Sequence, residues 1–230
     1  MTSIMSEESM PMEFLVGHGF NDTEKKFCPD KIYTKGDTDI ALLRPKVSVI
    51  GVRKASPEGL EYARDITKKL VAKHVVIVSG LAEGIDTVAH ETAMNNGGKT
   101  IAVIGTPLNK TFPAKNFKLQ QKIMKNHLVI TQFANNHPIL PQNFIMRNKI
   151  MALISDASII VEAGKTSGTI HQGWEGLRLG RLVFLTKNVI NNCKSEWADE
   201  MMKYGAIELD ELDDIFQVLP SDIKMSKLFE

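Results

Sequence analysis

Cysteine is scarce in this chain of 230 residues, which contains only Cys28 and Cys193. Two cysteines cannot make a disulfide framework or a zinc site on their own. Long hydrophobic runs are also missing, since no apolar stretch approaches the roughly 20 residues of a membrane-spanning helix. The N-terminus lacks the basic flank and apolar core of a signal peptide. We therefore expect a cytoplasmic protein with no structural metal and no membrane span.

Acidic residues are missing from a long stretch of the chain. None occurs between Glu91 and Asp156, although the whole chain has 28 Lys and Arg against 27 Asp and Glu. Residues 44–155 carry 16 basic and 6 acidic residues, a net charge of +10, whereas residues 1–43 and 191–230 have net charges of −4 and −6. The positive charge of residues 44–155 suits a partner that carries many negative charges. The alternative is that these charges only solvate helix surfaces.

Short β-branched runs alternate with amphipathic stretches from residue 47 onward. Strands this apolar are buried on both faces, and their alternation with helices is typical of a parallel sheet covered on both sides. The pattern predicts a doubly wound, mostly parallel, Rossmann-like α/β fold. The predicted strands are 47–51, 75–78, 100–105, 128–131, 158–162 and 182–186, and the predicted helices are 57–73, 85–96, 114–126, 143–153 and 167–179.

The two ends of the chain follow a different pattern. Residues 1–27 mix Met and Phe with many polar residues and show little periodicity, so we expect a partly ordered extension. Residues 28–218 are predicted to form the Rossmann-like domain. Its last part, 195–218, is expected to be helical, and 219–230 form a C-terminal tail.

Glycine stands beside hydroxyl or basic residues after several predicted strands. Such loops can cradle an anion, because glycine lets backbone N–H groups approach and the following helix N-terminus favours negative charge. The alternative is that short turns need glycine for their geometry alone. The candidate binding residues in these loops are Gly51, Arg53, Lys54, Ser79, Gly80, Lys165, Ser167 and Gly168.

Cofactor and catalytic motifs are weak. Residues 97–100 read Gly-Gly-Lys-Thr, but the first glycine of a phosphate-binding loop is missing, and no Gly-x-Gly-x-x-Gly follows the first strand. Asp86 and His90 lie four residues apart on one helix face and could act as an acid–base pair. We favour structural roles for both, with Asp86 bracing loops and His90 packing under the sheet edge. The sequence therefore predicts no catalytic residue and no cofactor.

The segment 143–150 contains Phe144, Arg147, Asn148 and Lys149 within two helical turns. Arginine and lysine bind phosphates, phenylalanine can stack on a base, and asparagine can bond a base edge. These four residues are therefore candidate nucleic-acid contacts. The alternative is an ordinary helix whose apolar side chains face the core and whose cations are solvated.

Several of these segments, taken in order, resemble the DNA-processing protein A family (DprA, also called Smf). The resemblance spans about residues 28–218, and the ordered set of motifs is far more specific than any one of them. The matching segments are Lys-Gly-Asp at 35–37, Val-Ile-Gly-Val-Arg-Lys-Ala-Ser at 49–56, Ser-Gly-Leu-Ala-Glu-Gly-Ile-Asp at 79–86, Gly-Lys-Thr-Ile-Ala-Val-Ile-Gly at 98–105, Phe-Pro at 112–113, Arg-Asn-Lys-Ile at 147–150, Val-Glu-Ala at 161–163 and Ser-Gly at 167–168.

The resemblance implies an extended Rossmann fold, binding of single-stranded DNA, a homodimer, and the loading of a RecA-type recombinase in recombination and natural transformation. It implies no catalytic reaction. The DNA contacts carried over are Arg53, Arg147, Lys149 and the amides of Ser79-Gly80 and Ser167-Gly168. Lys54 and Lys165 are added from charge and position.

Two departures from the family pattern bear on function. The family usually has arginine where this chain has Glu83, so a cation is replaced beside the expected pocket. The segments outside the predicted domain are too short for the full SAM-like and winged-helix domains of many members, so we expect a minimal member.

A second function on the same fold is a nucleotide sensor or a nucleoside monophosphate-processing enzyme. The loop 162–169 resembles the corresponding loop of the cytokinin-activating LOG enzymes. Gln172 stands where those enzymes have a glutamate, so the catalytic carboxylate is missing. A third possibility is a mobile-element or defence protein that kept the fold and changed its partner.

Overall fold

The computed structural model describes residues 8–16, 20–164, 167–192 and 196–219. Its strands are β1 (Glu8–Met10), β2 (Ile32–Gly36), β3 (Lys46–Gly51), β4 (Val76–Ser79), β5 (Thr100–Val103), β6 (Leu128–Thr131), β7 (Ala157–Glu162), β8 (Leu182–Thr186) and β9 (Ile207–Leu209). Its helices are α1 (Met12–Val16), α2 (Asp22–Phe27), α3 (Pro57–Ala72), α4 (Ile85–Asn95), α5 (Phe117–Asn126), α6 (Pro141–Ile154), α7 (Gly168–Arg178), α8 (Lys187–Asn192), α9 (Glu196–Lys203) and α10 (Ile215–Val218). Short 3₁₀ helices span Thr38–Leu42, Ala114–Asn116 and Leu212–Asp214.

All nine described strands join one sheet, in the order β1-β2-β6-β5-β4-β3-β7-β8-β9. The seven strands from β6 to β9 in this order run parallel, and β2 and β1 add an antiparallel edge. From β3 the chain builds outward through β4, β5 and β6, and then returns to the other side of β3 with β7. This reversal is the topological switch point at which doubly wound sheets bind ligands. The predicted fold class is confirmed.

The strand positions follow from the apolar runs that predicted them. The strands β3, β4, β5 and β7 are almost wholly buried, because helices cover both faces of the sheet. The helix α3 begins where the sequence places it, since the Ser56 hydroxyl accepts the Gly59 N–H and Pro57 occupies the first helical position.

The expectation of a helical segment over 195–218 is wrong in part. The helix α9 ends at Lys203, and Gly205 adopts a φ of 103°, which side-chain-bearing residues rarely take. The Gly205 and Ala206 N–H groups donate to the carbonyls of Met202 and Met201, which turns the chain back toward the sheet. The chain then adds β9 to the sheet edge before the short helix α10.

Residues 8–16 and 20–27, within the extension expected to be partly ordered, form β1, α1 and α2. A buried amine joins this part to the central sheet. Lys46 begins β3 and is fully buried, and its Nζ donates to the carbonyls of Leu15 and Ala41, each at 2.7 Å. Burial, assisted by nearby Arg44, lowers the pKa of Lys46 from its ordinary 10.5 to about 7.

Two arginines complete this attachment, which we call the N-terminal clamp (Arg44, Lys46 and Arg181). Arg44 donates to the Val16 carbonyl and pairs with Asp156 at 2.6 Å. Arg181 pairs with the buried Glu24 of α2 at 2.5 Å. Each clamp cation therefore has an oxygen acceptor from a separate part of the chain.

Within the described ranges, no helix is long and apolar enough to cross a membrane.

Candidate nucleic-acid interface

The main pocket opens at the carboxyl end of the sheet, at the switch point beside β3. It has a volume of about 400 Å³ and is formed by the loops after β3, β4 and β7, one face of α6 and the first turns of α7. Its lining residues are Ile50, Gly51, Val52, Arg53, Ala82, Asp86, Phe144, Ile145, Arg147, Asn148, Gly164, Ser167, Gly168, Thr169 and Gln172.

Arg147 brings a buried guanidinium to this pocket. Only 7% of the residue is exposed, and its nearest carboxylate oxygen, on Asp86, lies 3.7 Å away. One terminal nitrogen lies 3.3 Å from the Met151 sulfur, a weak acceptor, and Nε has no hydrogen-bond partner in the described part of the chain. Burial lowers the pKa of Arg147 from its ordinary value, and Asp86 opposes this effect. An anion in the pocket would therefore meet in its lining a guanidinium whose nearest carboxylate oxygen is 3.7 Å away.

Asp86, the first acidic residue of α4, braces the loop that follows β4. Its carboxylate accepts the N–H groups of Gly80 and Ala82 at 3.2 and 3.3 Å. Burial raises the pKa of Asp86, while Arg147 and these two amides oppose the rise. This is the structural role that the sequence favoured for Asp86.

His90 is fully buried, and its Nδ1 lies 2.7 Å from the Thr100 hydroxyl oxygen. Burial lowers the pKa of His90 to about 3, so the ring is neutral at ordinary pH. His90 packs under the sheet, again as the structural interpretation expected.

Gly80 lets Arg147 approach the loop after β4. A Cβ atom placed on Gly80 would lie 1.0 Å from a terminal nitrogen of Arg147. A side chain at this position therefore could not coexist with the guanidinium in its present place. The glycine is needed here for close approach rather than for its φ angle.

Phe144 and Phe112 form an aromatic wall beside Arg147. Their ring centroids lie 5.3 Å apart at an interplanar angle of 50°, and the Arg53 guanidinium carbon lies 5.9 Å from the Phe144 centroid. Together with Gly80, Glu83 and Arg147, they line a smaller cleft of about 60 Å³ that adjoins the main pocket. Aromatic faces beside arginines suit a nucleobase and its phosphate.

Glu83 projects from the loop after β4 into this cleft, where the sequence predicted the loss of a cation. Its carboxylate pairs with Lys115 at 2.7 Å. The negative charge of Glu83 is therefore balanced by a lysine from the 3₁₀ helix Ala114–Asn116. That helix is fixed to the same loop, since the Asn116 amide donates to the Leu81 and Ala82 carbonyls at 2.9 and 3.3 Å.

The N-terminus of α7 forms the opposite side of the main pocket. The Ser167 hydroxyl caps the helix by accepting the Thr169 N–H, and Asn148 of α6 donates to the Gly168 carbonyl at 3.1 Å. A helix N-terminus at this position favours a negatively charged ligand. Glu162 accepts the N–H and hydroxyl of Ser56, so it holds the loops after β3 and β7 together.

The structure brings together most of the candidate residues. Gly51, Arg53, Phe144, Arg147, Asn148, Ser167 and Gly168 line the main pocket, and Gly80 lines the adjoining cleft.

Other candidates lie elsewhere. Lys54 is exposed but does not line the main pocket, and the Lys149 amine lies 5.9 Å from the Phe27 ring centroid, away from the pocket. The Ser79 side chain is buried and donates to the Val49 carbonyl. The Gly80 amide, expected to contact a ligand, donates to Asp86 at 3.2 Å in this structure, so its use for a ligand stays a prediction. Lys165 lies outside the described residues.

Sequence reasoning missed two contributors to the site. Gln172 lines the main pocket with 2% of its surface exposed, and its Nε2 has no partner among the described residues. Phe112 lies 32 positions before Phe144, and no local pattern joins them. In the sequence, Gln172 stands out only as a departure from the LOG pattern.

The fold and this pocket define a Rossmann-like α/β protein with an anion-attracting ligand site at its switch point. A model of the family described as DNA recombination-mediator protein A matches residues 19–220. The chain belongs to this family, which confirms the family resemblance.

Curated relatives agree with this assignment. The chain is 38% identical over 179 residues to the DNA processing protein DprA of Streptococcus pneumoniae, covering 78% of this chain and 63% of that protein. It is 33% identical over 192 residues to the protein Smf of Escherichia coli, covering 83% of this chain and 51% of the other. The chain therefore spans between about half and two thirds of the length of these relatives.

Solved structures show the same fold. The Streptococcus pneumoniae DprA structure has a TM-score of 0.81 and 31% identity, covering 94% of this chain and 76% of that one. The Helicobacter pylori DNA processing protein A, whose structure concerns a single-stranded DNA binding mode, has a TM-score of 0.78 and 24% identity, covering 94% and 97%. A molybdenum cofactor binding protein from Rippkaea orientalis shares the fold more distantly, with a TM-score of 0.56, 16% identity and coverage of 76% and 95%.

Proposed function

We propose that this chain binds single-stranded DNA in the main pocket and acts as a binding mediator in DNA recombination, without a catalytic step. The observation that carries the proposal is the Arg147 guanidinium, which is buried in the pocket wall with donors left over after its contact to Asp86. Leaving such donors without acceptors is costly, so the pocket favours a ligand that supplies anionic oxygens.

The ligand chemistry follows from the neighbours of Arg147. Arg53 adds a second guanidinium, α7 adds a helix N-terminus, and Phe144 adds an aromatic face. A phosphate beside a flat base matches this set. A single strand offers an unpaired base to Phe144, whereas a duplex keeps its bases stacked inside. The Helicobacter pylori relative binds single-stranded DNA, which supports this choice.

The biological partners of this activity rest on the family resemblance. They are a RecA-type recombinase, which would be loaded onto the bound strand, and a second copy of the chain in a homodimer. Natural transformation is the process in which we place this loading.

A fluorescence anisotropy titration tests the proposal. A labelled single-stranded oligonucleotide is titrated with protein at two salt concentrations, and an unlabelled duplex serves as competitor. We expect salt-sensitive binding that the duplex displaces poorly, because phosphate contacts release counterions.

A pair of matched variants locates the site in the same assay. Arg53→Gln removes a pocket cation and should weaken binding by roughly fivefold, the value of about 1 kcal/mol for one partly exposed charged contact. Arg64→Gln removes an exposed arginine of α3 that pairs with Glu61, and should leave binding unchanged. Absence of binding to the wild type at low salt would refute the proposed function, and equal effects of the two variants would refute the site.

The nucleoside monophosphate-processing alternative has less support. Its chemistry needs a carboxylate where this chain places the amide of Gln172, and the carboxylate of Glu162 is held by Ser56. If the protein released a free base from a nucleoside monophosphate, that activity would support this alternative.

A further inference from the structure

The helix α5 carries an exposed row of lysines outside the main pocket. Lys118, Lys122 and Lys125 are all exposed and follow one another at spacings of four and three residues, so they share one face. Over these positions the helix rises by roughly 10 Å. None of the three lysines makes an ion pair with any described residue. We call these three side chains the α5 basic face.

Two surface lysines of the helix α3 have acidic partners, unlike those of the α5 basic face. On α3, Lys68 pairs with Asp65 at 3.2 Å and Lys69 with Asp213 at 3.6 Å. The α5 basic face lies instead in the part of the sequence that contains no acidic residue, between Glu91 and Asp156. Its positive charge is therefore available to a partner rather than absorbed by the surface.

The beginning of α5 is fixed beside the proposed DNA site. The Asn116 amide holds the start of the helix to the Leu81 and Ala82 carbonyls, and Ala82 lines the main pocket. Lys115 pairs with Glu83 at the adjoining cleft. The start of α5 therefore lies beside the cleft that adjoins the main pocket.

Phe112, which lines the cleft, and Phe117, the first residue of α5, carry exposed aromatic rings. Phe112 is 45% exposed and Phe117 is 55% exposed. Large apolar side chains are costly to leave in water, and aromatic rings interleaved with lysines are the composition that binds single-stranded nucleic acid by stacking and charge.

We propose that a strand held in the main pocket continues past Phe112 and Phe117 onto the α5 basic face, which forms a second, purely electrostatic section of the DNA site. This inference rests on the proposed function, because it takes the pocket as the place where the strand is first held. It predicts that affinity depends on the length of the oligonucleotide, since only a longer strand reaches α5.

The test compares two oligo(dT) lengths, about 6 and about 20 nucleotides, a range that spans the sites of single-strand-binding folds. The variant is the triple substitution Lys118→Gln, Lys122→Gln and Lys125→Gln. The matched control is the triple substitution Lys68→Gln, Lys69→Gln and Lys73→Gln, which removes the same charge from α3 and its C-terminal end. Circular dichroism melting confirms that both variants fold.

We expect the α5 variant to bind the long strand about tenfold more weakly and the short strand within about twofold of the wild type. Its salt slope on the long strand should fall by about 2, since each phosphate contact to a single strand contributes about 0.7. The control should keep the affinity and the slope of the wild type.

Two results would overturn the inference alone: a wild type that binds both lengths equally, or a control variant that loses as much as the α5 variant. A wild type that binds neither length would overturn the proposed function, and this inference with it.

Discussion

Buried and partly buried cations occur in two regions of this molecule, and they differ in how closely an acidic or carbonyl oxygen approaches them. In the N-terminal clamp, the Lys46 amine donates to two carbonyls at 2.7 Å, and Arg44 and Arg181 each meet a carboxylate at 2.6 and 2.5 Å. In the main pocket, the nearest carboxylate oxygen to Arg147 lies 3.7 Å away, and its other described hydrogen-bond contact is the Met151 sulfur. The Nε atoms of Arg147 and of Arg181 both lack a described hydrogen-bond partner, so the contrast lies in the carboxylate contacts of the terminal nitrogens.

The difference suggests two roles for these cations: the clamp cations stabilise the fold, and Arg147 binds a ligand. The clamp donors join residues 8–16 and 20–27 to the central sheet, so they stabilise the folded chain. Arg147 is held in place by Asp86 and by its close approach to Gly80, yet keeps donors available. Substitutions in the clamp should therefore change stability without changing affinity, and substitutions in the pocket should do the reverse.

The largest expected effect is on DNA affinity. Arg147→Gln removes the guanidinium while the Gly80 and Ala82 amides still satisfy Asp86. We expect the Kd for single-stranded DNA to rise roughly ten- to hundredfold, since a charge-assisted hydrogen bond contributes about 1.5–3 kcal/mol. Anisotropy titration measures this rise, with Arg64→Gln as the control. If the Arg147→Gln protein folded and bound DNA like the wild type, the main pocket would not be the DNA-binding site.

The next effect is on stability. Lys46→Met leaves the Leu15 and Ala41 carbonyls without their donor. At about pH 9, where the folded wild type holds Lys46 neutral, we expect a loss of about 2 kcal/mol in the free energy of unfolding, since each unsatisfied buried acceptor costs about 1 kcal/mol or more. Urea denaturation measures the loss, and DNA affinity of the folded variant should be unchanged. If Lys46→Met lost much of its DNA affinity and kept the stability of the wild type, Lys46 would act in binding and not in folding.

The same pair of proteins gives a pH-dependent effect of similar size. The pKa of Lys46 is about 7 in the folded state and 10.5 when exposed, because burial penalises its charge. Between these values the unfolded chain binds the extra proton, so the wild type gains stability as pH rises, by up to about 1.4 kcal/mol per pH unit. The loss caused by Lys46→Met should therefore shrink as pH falls from about 9 to about 7. A difference that stays constant over this window would contradict the buried, neutral amine.

The smallest expected effect comes from the glycine under Arg147. A methyl group in Gly80→Ala would lie 1.0 Å from the guanidinium and must displace it. We expect affinity to fall about fivefold, the equivalent of about 1 kcal/mol, as Arg147 loses its position. The same substitution at exposed Gly97 has open space and serves as the affinity control, although its φ of 74° makes it strained. Unchanged binding by Gly80→Ala would show that the position of Arg147 does not matter.

The parallel strands could be predicted from the sequence because the strand preference of each segment agrees with its burial inside the sheet. The bounds of β3, β4, β6, β7 and β8 fall within two residues of the predicted runs, since each is a β-branched segment buried on both faces. The edge strands β1 and β9 and the antiparallel strand β2 are absent from the sequence prediction. They are short or partly polar, and pairing with the sheet decides their conformation.

The site could be predicted only as a set of loops. The switch-point rule placed Gly51, Arg53, Ser167 and Gly168 at one sheet edge, and the structure agrees. The Asp86–Arg147 contact joins positions 61 residues apart, so no spacing rule reveals it. The family resemblance assigns Lys149 the same role as Arg147, but residues two positions apart on a helix do not share a face, and Lys149 lies by Phe27 instead.

The central claim is that single-stranded DNA lies in the arginine-lined pocket against Phe144. Photo-cross-linking tests it most directly, with an oligonucleotide carrying 5-iodouracil and mass spectrometry to locate the modified residue. The account predicts adducts on Phe144, with further adducts on Phe112 in its wall. Adducts confined to aromatic residues away from the pocket, such as Tyr62 of α3 or Phe216 of α10, would contradict it.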